Sequence, residues 1–221
     1  MTLPDPDRTT PPAAFAARNL TCIRGDRLVF SGLSFALEPG GALLLHGPNG
    51  TGKSSLLRLL AGLLPLAAGD MLWANAAVRA GHEEHRVRLH YVGHLDAVKP
   101  ALTARENLAF WAGMAGQARR VDDALDTFGL IHLADIPGRF LSAGQKRRLN
   151  LARLAAIPAP LWLLDEPSVS LDVEAVALLA RLIAAHGRRG GLVIAASHVD
   201  FGLTGAATLD LGTFAATAAA A

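Results

Sequence analysis

The run Gly47-Pro48-Asn49-Gly50-Thr51-Gly52-Lys53-Ser54 has the spacing G-x-x-x-x-G-K-S of a phosphate-binding turn. Gly47, Gly50 and Gly52 let the main chain approach an anion closely and take positive φ where the turn requires it. Amide N–H groups of such a turn point inward at a helix N-terminus and make an anion nest. Lys53 adds a point charge for the outer phosphates, and the Ser54 hydroxyl is a hard oxygen ligand for Mg2+. Ser55 carries the turn into the helix. Further along, Leu161-Trp162-Leu163-Leu164 is an apolar run closed by Asp165 and Glu166. The first carboxylate suits the water shell of a metal, and the second can polarise an attacking water. Ser197-His198 closes another apolar run, Leu192 to Ala196.

These groups need strands that end at one place and helices that start there. The run Ala42 to His46 is a buried strand leading into the turn, and the helix behind it has Leu56, Leu57, Leu59, Leu60 and Leu63 near one face, ending around Leu64-Pro65. Ahead of it, Leu20 to Ile23, Arg27 to Phe30 and Ser34 to Leu37 predict a small antiparallel sheet with turns at Arg24-Gly25-Asp26 and Glu38-Pro39-Gly40-Gly41. Met71 to Trp73 and Leu89 to Gly93 are further strands, separated by a charged surface excursion at 79–88. Residues 95–156 turn helical. Thr103 and Glu106 have the spacing of a capping box, and Val121 to Phe128 is a helix closed by Gly129. Val173 to His186 is a helix with Val176, Leu178, Leu179 and Leu182 on its buried side, and 207–212 is a last strand. Strands alternating with helices predict a parallel sheet. The expected class is α/β: a P-loop core with an antiparallel β subdomain and an inserted helical subdomain at about 95–156.

Composition excludes several alternatives. Hydrophobic residues make up 51% of the 221-residue chain, ample for a core, and charged residues only 18%. The formal charge of +2 is too small and too scattered for a nucleic-acid stripe, so no nucleic-acid partner is expected. One cysteine, Cys22, permits neither an internal disulfide nor a thiolate zinc site. No stretch of about eighteen uncharged apolar residues occurs, so a soluble or peripheral protein is expected. Residues 1–18 are rich in Pro, Thr and Ala and have no apolar leader core; they are expected to be a flexible tail, as is the Ala-rich 214–221.

The order of the motifs narrows the chemistry. Leu141-Ser142-Ala143-Gly144-Gln145 lies about twenty residues before the Asp165-Glu166 pair. With the phosphate turn, the strand ending in Asp165-Glu166, and Ser197-His198, this resembles the ATP-binding subunit of ATP-binding-cassette (ABC) transporters over residues 20–212. The expected unit is therefore a single ATPase domain at 19–213. The resemblance implies ATP hydrolysis with Mg2+, Ser54 and Asp165 on the metal, Glu166 on water and His198 sensing the γ-phosphate. It also implies a homodimer in which Ser142, Gly144 and Gln145 complete the γ-phosphate site of the second ATPase subunit, and Ser170-Leu171-Asp172 communicates between subunits. Ser142 and the N–H groups of Gly144 and Gln145 at a helix start form an anion site on physical grounds as well.

Two positions depart from the family pattern. Arg24 stands where an aromatic would stack on adenine; a guanidinium can stack on a base. His94 stands in place of a loop glutamine that touches the metal and the membrane-subunit interface, which makes His94 a metal-site candidate. With Tyr91-Val92-Gly93-His94 and Leu102-Thr103-Ala104-Arg105-Glu106-Asn107-Leu108, the chain is most similar to the cytochrome c maturation (haem exporter) branch. That branch implies integral-membrane permease subunits and haem-handling proteins as partners, and a peripheral position at the cytoplasmic face of a bacterial inner membrane. An ATPase of a lipid, peptide or drug exporter shares all this chemistry. A soluble ABC ATPase would carry two cassettes or a long coiled coil, and a small-molecule kinase would lack Leu141 to Gln145.

Other residues have plainer expected roles. His82, His85, His90 and His94 span a charged loop and a strand, so their rings should diverge rather than share a ligand. Arg139, Lys146, Arg147, Arg148 and Arg153 read as a solvated helix face. Trp111 and Met114 are expected in the core, Trp162 against a helix, and Cys22 half-buried and inert.

Overall fold

The computed structural model describes residues 13–78, 82–199, 201–203 and 205–215. Its centre is set by two strands in which every residue is buried, β7 (Leu161–Asp165) and β8 (Leu192–Ala196). Continuous apolar runs of this kind form where a parallel sheet is covered on both faces. They sit inside a sheet ordered β6 (Leu89–Val92), β7, β8, β3 (Ala42–His46), β9 (Ala207–Asp210), and each pairing in it is parallel. Alternate residues then serve opposite faces. Leu161, Leu163 and Ile194 pack toward the antiparallel sheet and the helix after the phosphate turn; Trp162, Leu164 and Val193 pack toward the helical segment.

The antiparallel sheet is ordered β2-β1-β4-β5, with β1 at Phe15–Arg24, β2 at Arg27–Leu37, β4 at Ala68–Trp73 and β5 at Ala76–Val78. It is larger than the expected hairpin ahead of the turn. Arg27 to Phe30 and Ser34 to Leu37 merge into one long strand, and β4 returns after the first helix to pair with β1. The expected tail at 1–18 is corrected at its end: β1 starts at Phe15, which is fully buried and in ring contact with Trp73. Residues 1–12 and 216–221 lie outside the described residues, while Ala215 bridges to Phe30.

Helix α1 (Lys53–Leu60) buries Leu56, Leu57, Leu59 and Leu60. It stops earlier than expected, and Leu63 lies past its end, largely exposed. Within the charged excursion, α2 (Glu83–Arg86) turns His85 inward to share a hydrogen bond with Leu60 O at 2.7 Å. The helical segment comprises α3 (Ala104–Met114), α4 (Val121–Thr127) and α5 (Ala143–Ala156). Thr103 and Glu106 form the expected capping box, and Ser142 and Gln145 form a second one. Buried Asn107 ties the incoming loop down. Its Oδ1 accepts from Lys99 N, and its Nδ2 donates to Lys99, Leu102 and Thr103 carbonyls. Helix α6 (Val173–Arg188) buries Ala175, Leu179, Ile183 and His186 and follows β7.

Several expected placements are overturned. Cys22 is completely buried, and burial raises its thiol pKa. Met114 is exposed, because α3 ends there at the surface. Trp111 does pack against the core, partly buried, and lies under the Arg153 guanidinium, 4.1 Å from the ring centroid. The histidine rings do diverge: His85 meets Leu60 O and His90 meets Ile157 O. Trp162 does pack on a helix, stacked at 3.9 Å on His186 of α6. Gly191 is the space for that ring, since a Cβ there would lie 2.2 Å from His186.

Burial holds His90 and His186 neutral, lowering each pKa from 6.5 to about 4. The unfolded chain therefore binds more protons than the folded one between these values, and stability is lost as pH falls from about 6.5 toward 4. Urea midpoints measured across that window should fall with pH. His186→Phe, which preserves a ring on Trp162, should flatten part of the slope. Asn107→Ala should cost about 2–3 kcal/mol in the same assay through its orphaned loop groups.

Candidate functional site

The turn after β3 is built by positive backbone angles. Gly47, Gly50 and Gly52 have φ of 126°, 87° and 104°. Space requires glycine as well: a Cβ on Gly52 would lie 2.6 Å from Val29 Cγ1, and one on Gly47 would lie 3.0 Å from Thr51 Oγ1. Thr51 Oγ1 donates to Pro48 O at 2.9 Å and closes the loop. Lys53 is buried and folds back across it, donating to Gly47 O at 2.6 Å and Pro48 O at 3.1 Å. Its ammonium thus sits over the cradle with the start of α1 behind it. Asn49 and Gly50 are exposed at the loop's lip.

Ser54 Oγ donates to Asp165 Oδ1 at 2.9 Å across 111 residues of sequence. The other carboxylate oxygen, Oδ2, accepts from Tyr91 OH at 3.5 Å, and Arg58 Nε donates to that hydroxyl at 3.4 Å. Burial and the neighbouring Asp165 raise the Tyr91 pKa, so the phenol stays protonated and donates. Two hard oxygens meeting beside a phosphate cradle fit Mg2+ or a similar divalent cation.

Glu166 follows with φ 47°, a left-handed conformation for a residue with a Cβ. Its N–H donates to Ala196 O at 2.8 Å, and its carboxylate lies 3.4 Å from His198 Nε2. The two side chains named from sequence as water-polarising and phosphate-sensing therefore face one another. Glu166 is mostly covered, whereas His198 is largely exposed.

A cavity of about 430 Å3 opens beside the turn, lined by Arg24, Arg27, Leu28, Val29, Gly50 and Ser55 among others. Arg24 therefore reaches the space expected for a base. Arg27, across the hairpin turn, was not singled out from sequence; its place opposite Arg24 in the pairing is a hairpin consequence.

The remaining candidates are not brought to this turn. Ser142 and Gln145 engage each other: Gln145 N donates to Ser142 Oγ at 3.2 Å, and Ser142 N donates to Gln145 Oε1 at 2.8 Å. Gly144 packs on the 170–172 loop, where a Cβ would lie 2.8 Å from Ser170 O. Asp172 caps α6, its Oδ1 accepting from Ala175 N at 2.9 Å. His94 is exposed, and among the described residues no hydrogen bond or ion pair joins it to Ser54 or Asp165.

The sequence of the family described as ABC transporter matches residues 30–169. The chain belongs to the ABC transporter family. Membership makes it a nucleotide-binding ATP hydrolase subunit. Among curated proteins, the "Cytochrome c biogenesis ATP-binding export protein CcmA" of Rhodospirillum rubrum is 60% identical over 205 residues, covering 92% of this chain and 88% of that one. The protein of the same description from Paramagnetospirillum magneticum is 53% identical, covering 92% and 96%. An ABC transporter ATP-binding protein from Pyrococcus furiosus shares the fold, with a TM-score of 0.77 at 21% identity, over 92% of this chain and all of that one.

Among the basic residues at 139–153 of this ABC subunit, Arg147 departs furthest from its expected place. It was expected on a solvated face, yet it is 2% exposed and runs beneath the carboxylate strand. A basic run on an amphipathic helix gives no sign of which cation turns inward. The geometry of the cradle is directly testable. Gly52→Ala should lower nucleotide affinity at least ~10-fold in a calorimetric titration, because Val29 and the start of α1 must separate.

Proposed function

We infer that this chain hydrolyses ATP for an export complex that serves haem delivery during cytochrome c maturation. The near full-length match to a cytochrome c biogenesis ATP-binding export protein, at 60% identity, carries the reading. Arg24 and His94, which replace the family's usual aromatic and glutamine, support the same branch. In this reading 19–213 act as one ATPase unit, paired with a second copy. The dimer works on integral-membrane permease subunits and haem-handling proteins at the cytoplasmic face of a bacterial inner membrane. No helix among the described residues is long and apolar enough to cross a membrane, which accords with a peripheral role.

The phosphates lie along the amides of 47–55, with Lys53 releasing the Gly47 and Pro48 carbonyls to meet them. Ser54 and Asp165 would hold Mg2+, which when bound would neutralise charge on the phosphate oxygens. Glu166 takes the attacking water as hydrogen-bond acceptor, and His198 bridges from Glu166 toward the γ-phosphate. Arg24 stacks on adenine from the neighbouring cavity. Ser142, Gly144 and Gln145 of the second copy close the γ-phosphate site, and Asp172 lies in the loop between the two copies. His94, remote from Ser54 and Asp165, serves the permease side.

Glu166→Gln should leave ATP bound and reduce turnover at least ~100-fold, with the dimer trapped in size-exclusion chromatography. Turnover near the native rate removes Glu166 from its role. Arg24→Ala should raise the ATP half-saturation with kcat unchanged; an unaltered half-saturation removes the stacking. In the source bacterium, replacing the gene by the Glu166→Gln form should abolish haem-stained c-type cytochromes. Normal c-type cytochromes in that strain would refute the haem-delivery assignment.

A further inference from the structure

Arg147 uses all five of its N–H donors in one place. Nε donates to Pro167 O at 3.1 Å. Nη2 donates to Asp165 O at 3.1 Å and Glu166 O at 2.6 Å. Nη1 donates to Gly93 O at 2.8 Å and to Asp96 Oδ1 at 3.2 Å. Three consecutive carbonyls at the end of β7 and the loop after β6 are thus held by one planar fork carried on the second turn of α5. A guanidinium carries five donors and no acceptor, so none is wasted here. Its charge is met by Asp96, whose carboxylate is itself mostly covered.

The strained residue lies inside this grip. A left-handed conformation is strained for a residue with a Cβ and persists only where its surroundings over-determine it. Arg147 binds the carbonyl before it, its own carbonyl and the carbonyl after it. The Glu166 N–H is held by Ala196 O. Arg147 is therefore placed to fix the backbone that aims the Glu166 carboxylate, and does so from an arm anchored on the 93–96 loop.

We propose that Arg147 is a positioning residue that ties the presentation of Glu166 to the 93–96 loop. The proposal rests on Glu166 being the group that acts on water. A displacement of the 93–96 loop pulls Gly93 O and Asp96 from Nη1, tilts the fork, and loosens the three carbonyls that hold Glu166. In the other direction, a change at Glu166 reaches the loop and the start of α5, where Ser142 to Gln145 lie. Lysine cannot replace this grip, because a single ammonium cannot span five acceptors in a plane.

The full-length chain, assayed at saturating protein and followed by calorimetric ATP titration, tests this. Arg147→Lys should keep ATP affinity within about twofold and lower kcat at least ~10-fold. Asp96→Ala, which cuts only the loop arm, should lower kcat about threefold, with ATP affinity again unchanged. The double variant should lose less than the product of the two, since both act on one linkage. A folded Arg147→Lys with native kcat overturns the proposal. So does a fall in kcat matched by an equal fall in ATP affinity, which marks a merely structural residue. Should Arg147→Lys fail to unfold cooperatively, Asp96→Ala decides alone, and native kcat there is fatal to the proposal. Glu166→Gln, run alongside, separates the two failures: native turnover in that variant defeats the role of Glu166 itself, whatever Arg147 does.

Discussion

Parallel strands that share a sheet all end on the same side. That single constraint locates the chemistry of this chain. β3 ends in the phosphate turn, β7 in Asp165 and Glu166, β8 in Ser197 and His198, and β6 in the loop at 93–96. Groups separated by more than a hundred residues therefore meet within hydrogen-bond distance, as Ser54 and Asp165 do. Nucleotide sites of open α/β sheets lie at such carboxyl ends because the helices that follow point their N-termini there. The core supports this edge from both sides, with alternate residues of β7 and β8 packing against different layers. A one-residue slip of β7 would carry Trp162 and Leu164 to the wrong layer and move Asp165 off Ser54.

The polar groups around the phosphate turn satisfy one another within the chain. Lys53 satisfies its ammonium on the Gly47 and Pro48 carbonyls, and Ser54 satisfies its hydroxyl on Asp165. A buried ammonium without partners would be costly, and the loop's own carbonyls hold it. The same exchange keeps Asp165 oriented. One oxygen accepts from Ser54 and the other from Tyr91, whose hydroxyl is steadied by Arg58. A nucleotide entering this site would trade internal hydrogen bonds for charge-assisted ones.

Wherever local chemistry dictates position, the sequence is sufficient. The turn at 47–54 needs glycine at 47, 50 and 52, and those residues take positive φ. The Thr103–Glu106 spacing makes a capping box because both partners lie within one turn. β3 and β8 follow their apolar runs residue for residue. Legibility ends where a side chain's partner is set by tertiary packing. Arg147 and Arg148 are neighbours of one type, and only helix phase against β7 turns Arg147 inward. His186 stands at the expected end of a helix, yet it is buried against Trp162 in the space left by Gly191. Phe15 reads as the end of a polar tail, and it becomes core only because β4 returns beside it.

These two sources of order converge at Glu166. Its place in the sequence follows from the end of a buried strand, whereas its conformation does not. A residue with a Cβ at φ 47° has no local reason to remain there, and the relaxed alternative would aim the carboxylate elsewhere. What holds it comes from three other elements: Ala196 of β8 on its N–H, the Arg147 fork from α5 on its carbonyls, and His198 beside its carboxylate. The acid's presentation is therefore a property of the relation between the sheet and the helical segment, not of β7 alone. An arrangement in which that relation can shift gives the helical segment a physical handle on the Glu166 carboxylate. No handle of that kind would exist had Glu166 stood in a relaxed strand conformation.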